Sequence, residues 1–325
     1  MKLLSTLLVG VTALASFASF GAHADTLNFG IISTDSSSAL RARWAPLIDD
    51  MHKQTGLDIK PFFATDYSGV IEGMRFNKVQ LAFMGNKSAI EAVDRAGGEV
   101  FTQVTYSNGE AGYHSVLITN VKSPYKRLDD VLKNGKNINF GMGDPESTSG
   151  TLVPSYYIFS KNHINPKTFF KSANPSSHEA NALAVINNQV DVATNNTDML
   201  ETLKQQHPDK LAQIRVLWTS PLIPSDPLLW RKDLAPDTKA KLQKFFDNYA
   251  KTDPREKQIM QGISGYSGFA ASSNRQLVPI RQLALFQSRE KIASDTHLSD
   301  DDKKTQIVSI DAQLAALNDG AATKQ

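Results

Sequence analysis

Residues 138–159 read INFGMGDPESTSGTLVPSYYIF. An apolar, strand-like run gives way to the turn GDPESTSG (143–150), and the turn opens a helix-like run. Strand, turn and helix in that order make one unit of an α/β sheet, where ligands gather at the carboxyl ends of the strands. Ser147, Thr148 and Ser149 stand together at the helix mouth. One hydroxyl is enough to cap a helix, so a capped helix without a ligand accounts for only one of the three. A helix N-terminus also presents unpaired N–H groups and partial positive charge, which seat an anion. Three hydroxyls beside those amides match the three oxygens of a phosphate or phosphonate. Gly141 and Gly143 begin a dinucleotide-type turn, but Glu146 fills the place of its third glycine, so that reading is dropped.

Outward from this turn, strand-like and helix-like runs alternate. TLNFGIIST (26–34) precedes an amphipathic stretch over 38–56, LDIKPFFAT (57–65) precedes YSGVIEGMRFNK (67–78), and VQLAFMG (79–85) precedes NKSAIEAVDRAGG (86–98). FTQVTY (101–106) and YHSVLITN (113–120) complete a first set; a second runs through SSHEANALAVINNQ (176–189), VDVATNN (190–196) and IRVLWTS (214–220). Helix-length links between strands predict parallel sheets with helices on both faces. From Ala235 onward the pattern is nearly all helical. We expect an α/β protein of two lobes with a ligand cleft between them. Residues 25–119 form the first part of lobe one, 120–225 form lobe two, and 226–325 return to lobe one and add C-terminal helices. The crossings are expected near 119–124 and 219–228.

The N-terminus reads as an export signal: Lys2, the apolar run LLSTLLVGVTALASF, and a small-x-small site at Ala22-His23-Ala24. A retained membrane anchor is the alternative, but Ser, Thr and Gly dilute the run. Cleavage after Ala24 leaves about 300 residues, long for one core. The chain has no Cys, which excludes a lipid anchor on Cys, disulfides and Cys-ligated metal. An exported protein of a Gram-negative periplasm fits. The formal net charge is only +2 and no basic cluster is present, so no nucleic-acid partner is expected. No P-loop, G-x-S-x-G elbow or H-E-x-x-H motif occurs, and no metal or cofactor is implied.

His178 begins the helix-like stretch after Ser176 and Ser177, a second helix N-terminus from which an imidazole can donate to an anion. Tyr67, Tyr113, Asp198 and Asp226 all fall at turns or crossings, where Asp and Tyr are also ordinary turn residues. Together they offer acceptors and π faces for a cation. Hydroxyls and amides on one wall with carboxylates and tyrosines on the other suit a zwitterion.

The blocks LNFGIIST, GMRFNKVQLAF, GDPESTSG with LVPSYYIF, NALAVINNQVDVATNNT, SPLIPSDPLLWRK and QLVPIRQLALF resemble the periplasmic phosphonate-binding proteins of ABC importers, through nearly the whole exported chain. The resemblance implies a type II periplasmic binding protein that delivers a small organophosphonate to an inner-membrane permease, 2-aminoethylphosphonate or a relative. It places the phosphonate on Ser147, Thr148 and Ser149 with help from His178, and the ligand's amine on Tyr67, Tyr113, Asp198 and Asp226. Two departures fall on the amine side. Asp198 stands where such proteins typically carry Glu, longer by roughly 1.5 Å, and Met84 stands where an aromatic residue is common. The rival class is a hydrolase using one of the turn's hydroxyls as nucleophile with His178 as base; inorganic phosphate or phosphite as ligand would leave Asp198 and Asp226 without a role. Ile307, Ile310, Leu314 and Leu317 form a stripe at helical spacing. It serves either a homodimer, which the resemblance favours, or packing on its own lobe.

Overall fold

The computed structural model of the chain describes residues 26–322. The export signal and the cleavage expected after Ala24 lie outside the described residues. In lobe one, β1 (Leu27–Ile31), α1 (Ser37–Thr55), β2 (Ile59–Phe63), α2 (Tyr67–Arg75) and β3 (Leu81–Phe83) follow one another, the three strands running parallel. Local chemistry sets these bounds. Trp44, Leu47, Ile48 and Met51 give α1 its buried stripe, and Gly56 ends it in the left-handed conformation. Asp66 caps α2 by accepting from the Gly69 N–H at 2.8 Å.

α3 (Asn86–Arg95) and β4 (Gly98–Tyr106) complete the first pass. The chain then crosses through β5 (Gly112–Tyr113) into lobe two. There follow β6 (Ser115–Asn120), α4 (Leu128–Lys133), β7 (Asn139–Gly143), a helical segment over residues 148–162, α5 (Pro166–Phe169), β8 (Ser172–Ser176) and α6 (His178–Ile186). β9 (Val192–Asn196), α7 (Thr197–Gln206), α8 (Pro208–Leu211) and β10 (Ile214–Thr219) end the lobe. β11 (Ile223–Pro224) pairs with β5 in a two-stranded ladder between the lobes. Last come β12 (Pro227–Arg231), α9 (Pro236–Asn248), α10 (Pro254–Gly262), β13 (Tyr266–Ala271), α11 (Val278–Ser294) and α12 (Asp300–Ala322).

The sheet orders are β13-β4-β12-β3-β1-β2 and β10-β6-β9-β7-β8. Lobe two is packed on both faces. Phe140, Phe159 and Phe170 cluster on one side, Val116, Ile118, Ala182 and Val185 on the other. Neither sheet is purely parallel, contrary to expectation: β12 and β13 oppose β4, and β6 opposes β9 and β10. A strand that starts at a crossing must run away from the cleft, opposite to the strands that end there.

The first crossing also lies earlier than 119–124. Ser115–Asn120 is wholly buried and bonded to β9 and β10, so it belongs to lobe two, and the passage is at residues 107–114. An apolar strand carries no mark of which sheet it will join. β13 interrupts a tail expected to be helical. α11, expected on lobe one alone, touches both α3 and residues 148–162. α12 lies along α11, with Arg289 Nε 2.9 Å from Asp311 Oδ1 and Ile310 and Leu314 buried. The stripe on which a homodimer was expected is therefore covered within the chain.

Candidate functional site

The turn after β7 is built on close backbone contact. A Cβ on Gly143 would stand 2.4 Å from the Gly150 Cα, so only glycine lets the turn fold back on itself. The helical segment opens with a wide turn, in which the Leu152 N–H reaches the Ser147 carbonyl at 3.1 Å. Ser147 alone does the capping, accepting from the Gly150 N–H at 2.9 Å. Thr148 Oγ1 instead accepts from the Lys87 N–H of lobe one at 2.8 Å, and Ser149 Oγ from Asn196 Nδ2 at 3.2 Å. All three residues are buried, and His178 Nε2 sits 3.4 Å from both the Ser147 and the Ser149 hydroxyls. Two hydroxyls and an imidazole, up to 31 positions apart in the chain, thus meet at one point, with Thr148 turned to the other lobe.

His178 is the first residue of α6, held there by Ser177 as cap and by Asn195 Nδ2, which donates to its carbonyl at 2.9 Å. Burial pushes its pKa down to about 4, against the pull of the nearby Asp35 carboxylate. The imidazole is neutral near pH 7, so it can donate from one nitrogen without carrying charge.

Across the cleft, Asp198 Oδ2 accepts from Tyr106 at 3.1 Å and Tyr266 at 2.9 Å. Asp226 Oδ1 accepts from Tyr113 at 2.9 Å and Asn86 Nδ2 at 3.3 Å. Burial raises Asp198 to about 7, with the two tyrosine hydroxyls acting against it. Asp226 is raised well above the carboxylate range, by burial first and then by the charge of Asp198. Two buried carboxylates that repel each other are a seat for a cation. Tyr67 lies between the walls: its N–H donates to Asp144 Oδ2 at 3.2 Å, and its buried phenol feels both Asp226 and the Ser147 hydroxyl. Met84 is fully buried in the lobe-one core, and Phe83 rather than Met84 lines the cleft.

Tyr106, Tyr266, Asn86 and Asn196 were not singled out in the sequence. Tyr106 ends a strand and Tyr266 begins one that reads as helix, and only the β4–β13 pairing sets them side by side. Asn196 carried a signal, since it sits at a helix start beside Asp198. The lobes are closed on one another. Glu179 donates its N–H to the Thr34 carbonyl at 3.1 Å and accepts from the Ser36 N–H at 2.7 Å, and Lys87 pairs with Glu146 at 2.9 Å.

Two α/β lobes on a paired hinge, with buried hydroxyls and an imidazole on one and a carboxylate wall shared between them, define a type II periplasmic binding protein. The description "ABC transporter, phosphonate, periplasmic substrate-binding protein" matches residues 29–277, and the chain belongs to that family. Its relatives are substrate-binding transport proteins, not enzymes. The phosphonates-binding periplasmic protein of Escherichia coli is 52% identical over 301 residues, 91% of this chain and 88% of that one. A binding-protein component of an ABC phosphonate transporter from Pseudomonas aeruginosa, 48% identical, superposes with a TM-score of 0.89, covering 91% of this chain and 98% of the other. A Prochlorococcus marinus protein solved with methylphosphonate shares the fold at a TM-score of 0.71 and 21% identity, over 81% of this chain and 98% of that one. The protein is thus the periplasmic phosphonate-binding component of an ABC transporter.

Proposed function

We propose that the ligand is 2-aminoethylphosphonate or a close relative, held between Ser147, Thr148, Ser149 and His178 at the phosphonate and Tyr67, Tyr113, Asp198 and Asp226 at the amine. The observation that carries this reading is the pair of buried carboxylates facing a buried set of neutral donors. A buried dianion needs its lone pairs satisfied, and a buried carboxylate pair needs a cation. An alkylphosphonate without an amine uses only half of this site. Export through a signal cleaved after Ala24 is part of the same proposal, as is productive docking of the closed form on the inner-membrane permease.

Calorimetric titration with 2-aminoethyl-, methyl- and ethylphosphonate, phosphate and phosphite tests it, the aminoethyl compound being expected to bind tightest. Asp226→Asn should weaken that compound by two or more decades, because breaking a buried charge pair costs about 3–5 kcal/mol, while methylphosphonate binds as before or better. Equal losses for both ligands would refute the division into two walls.

A further inference from the structure

We infer that Arg43 is a further residue of the phosphonate seat, its guanidinium donating from the edge formed by Nε and Nη2 to two phosphonate oxygens while Asp35 holds its other end. This rests on the reading of the cleft as a phosphonate site and adds a cation to that site.

The first observation is how Arg43 is held. It lies on α1, and a helical side chain leans toward the N-terminus of its helix. The long Arg43 chain therefore runs back to the turn after β1, where Asp35 stands. Nη1 donates to Asp35 Oδ2 at 3.1 Å and Nη2 to Oδ1 at 3.2 Å, and the Thr34 hydroxyl donates to Oδ2 at 2.7 Å. The carboxylate thus meets the guanidinium end-on. That leaves the side edge, where Nε–H and the second Nη2 hydrogen lie parallel, the fork that grips two oxygens of a phosphate-type anion. Both side chains are buried, Arg43 being 7% exposed and Asp35 2%.

The second observation is what the free edge lacks. Among the described residues, Arg43 Nε is one of three buried side-chain polar atoms without a hydrogen-bond partner, with His178 Nδ1 and Ser33 Oγ. A buried guanidinium N–H without an acceptor is costly. Arg43, Asp35 and His178 line the ligand cleft with Asn196, Asp198 and Asp226, and the Asp35 charge is felt at His178. Among the described residues that line this cleft, Arg43 is the only Arg or Lys. The hydroxyls of Ser147, Thr148 and Ser149 and the neutral His178 can donate to a phosphonate but offset none of its charge. The guanidinium brings a permanent charge and two donors at once. Asp35 already fixes its long chain, so little side-chain freedom is lost on binding.

Calorimetric titration of the full chain with methylphosphonate and 2-aminoethylphosphonate tests the assignment. Arg43→Lys keeps a cation beside Asp35 but loses the two-donor edge, so both ligands should bind about tenfold weaker, the worth of a lost bond to a charged group. Asp35→Asn combined with Arg43→Gln removes the ion pair without stranding a charge, and should weaken both ligands by about one to two decades. Wild-type affinity in that double variant would make Arg43 no more than a partner for Asp35, and overturns the inference. A loss confined to the aminoethyl compound overturns it as well, since Arg43 would then act through the carboxylate wall. Should neither variant fold, the wild type decides. Its Arg43 Nε–H proton resonance should move downfield on addition of methylphosphonate, and an unmoved resonance removes the contact. Failure of the wild type to bind either compound would sink the phosphonate reading itself, whereas binding indifferent to Arg43 sinks only this residue's part in it.

Discussion

Ser147 and Thr148 are neighbours with different tasks, and single substitutions should separate them. Ser147→Ala removes both the cap to Gly150 and a hydroxyl beside His178, so binding of methyl- and aminoethylphosphonate should fall alike, by about one to two decades for a lost bond to a charged group. Thr148→Ala also removes the acceptor for the Lys87 N–H, and should cost closure as well as contact. Unchanged affinity in both variants moves the anion seat elsewhere. Two buried titratable groups make the ligand-free protein respond to pH in opposite senses. His178, pushed down to about 4, contributes stability present above its ordinary value of 6.5 and lost as pH falls toward 4. Asp198, raised to about 7, contributes stability fully present below 3.8 and lost as pH rises through 7. Thermal melts across pH 4–8 should therefore show Asp198→Asn gaining on the wild type as pH rises, and His178→Gln gaining as pH falls. Parallel curves would mean that neither group is held as described.

At the scale of elements, the β5–β11 ladder is the hinge's only regular pairing among the described residues, and it depends on Gly112. A Cβ there would stand 1.8 Å from the Ile223 carbonyl oxygen, closer than any rotamer change can relieve. Gly112→Ala must therefore part the two hinge strands. We expect a loss of about 2–3 kcal/mol in stability, read by denaturant melts, together with weaker ligand binding, because Tyr113 is the next residue and holds Asp226. An unaffected melt would show that the hinge does not need the ladder. The residue 148–162 segment links this hinge to the tail: Val153 and Tyr157 share a crevice with Ile223, Ile280 and Leu283. α11 thereby rests on both lobes beside the point about which they turn.

For the whole molecule, closure is held by contacts outside the ligand cleft as well as within it. Glu179 bridges the lobes twice, through its backbone N–H and through its carboxylate. Glu179→Ala removes the second bridge and should speed ligand release about fivefold, the worth of roughly 1 kcal/mol, with little change in the association rate. Stopped-flow traces separate the two rates; a change confined to association would contradict the latch. The Lys87–Glu146 pair is partly exposed, and its removal should matter far less.

The sequence by itself determined the lobed α/β class, because periodicity and turn chemistry are local properties. It also brought Ser147, Thr148 and Ser149 forward as the proposed anion seat, since three hydroxyls at a helix mouth are adjacent in the chain and need no tertiary contact to be noticed. Asp198 and Asp226 were visible as residues, but not as a repelling pair wired to four partners, because those partners come from four separate elements. Only the folded molecule decided that Ser115–Asn120 belongs to lobe two, since every residue of that strand is buried and apolarity does not name a neighbour. It also decided that Tyr266 opens a strand and reaches Asp198. Strand pairing is a contact between distant segments: here Tyr106 and Tyr266 are placed side by side by β4 and β13, and nothing within either segment records the other. The C-terminal stripe shows the same limit from the opposite side. Its spacing predicts an apolar face, but whether α11 or a second chain covers that face is settled by where the preceding helix lies, and here it lies alongside.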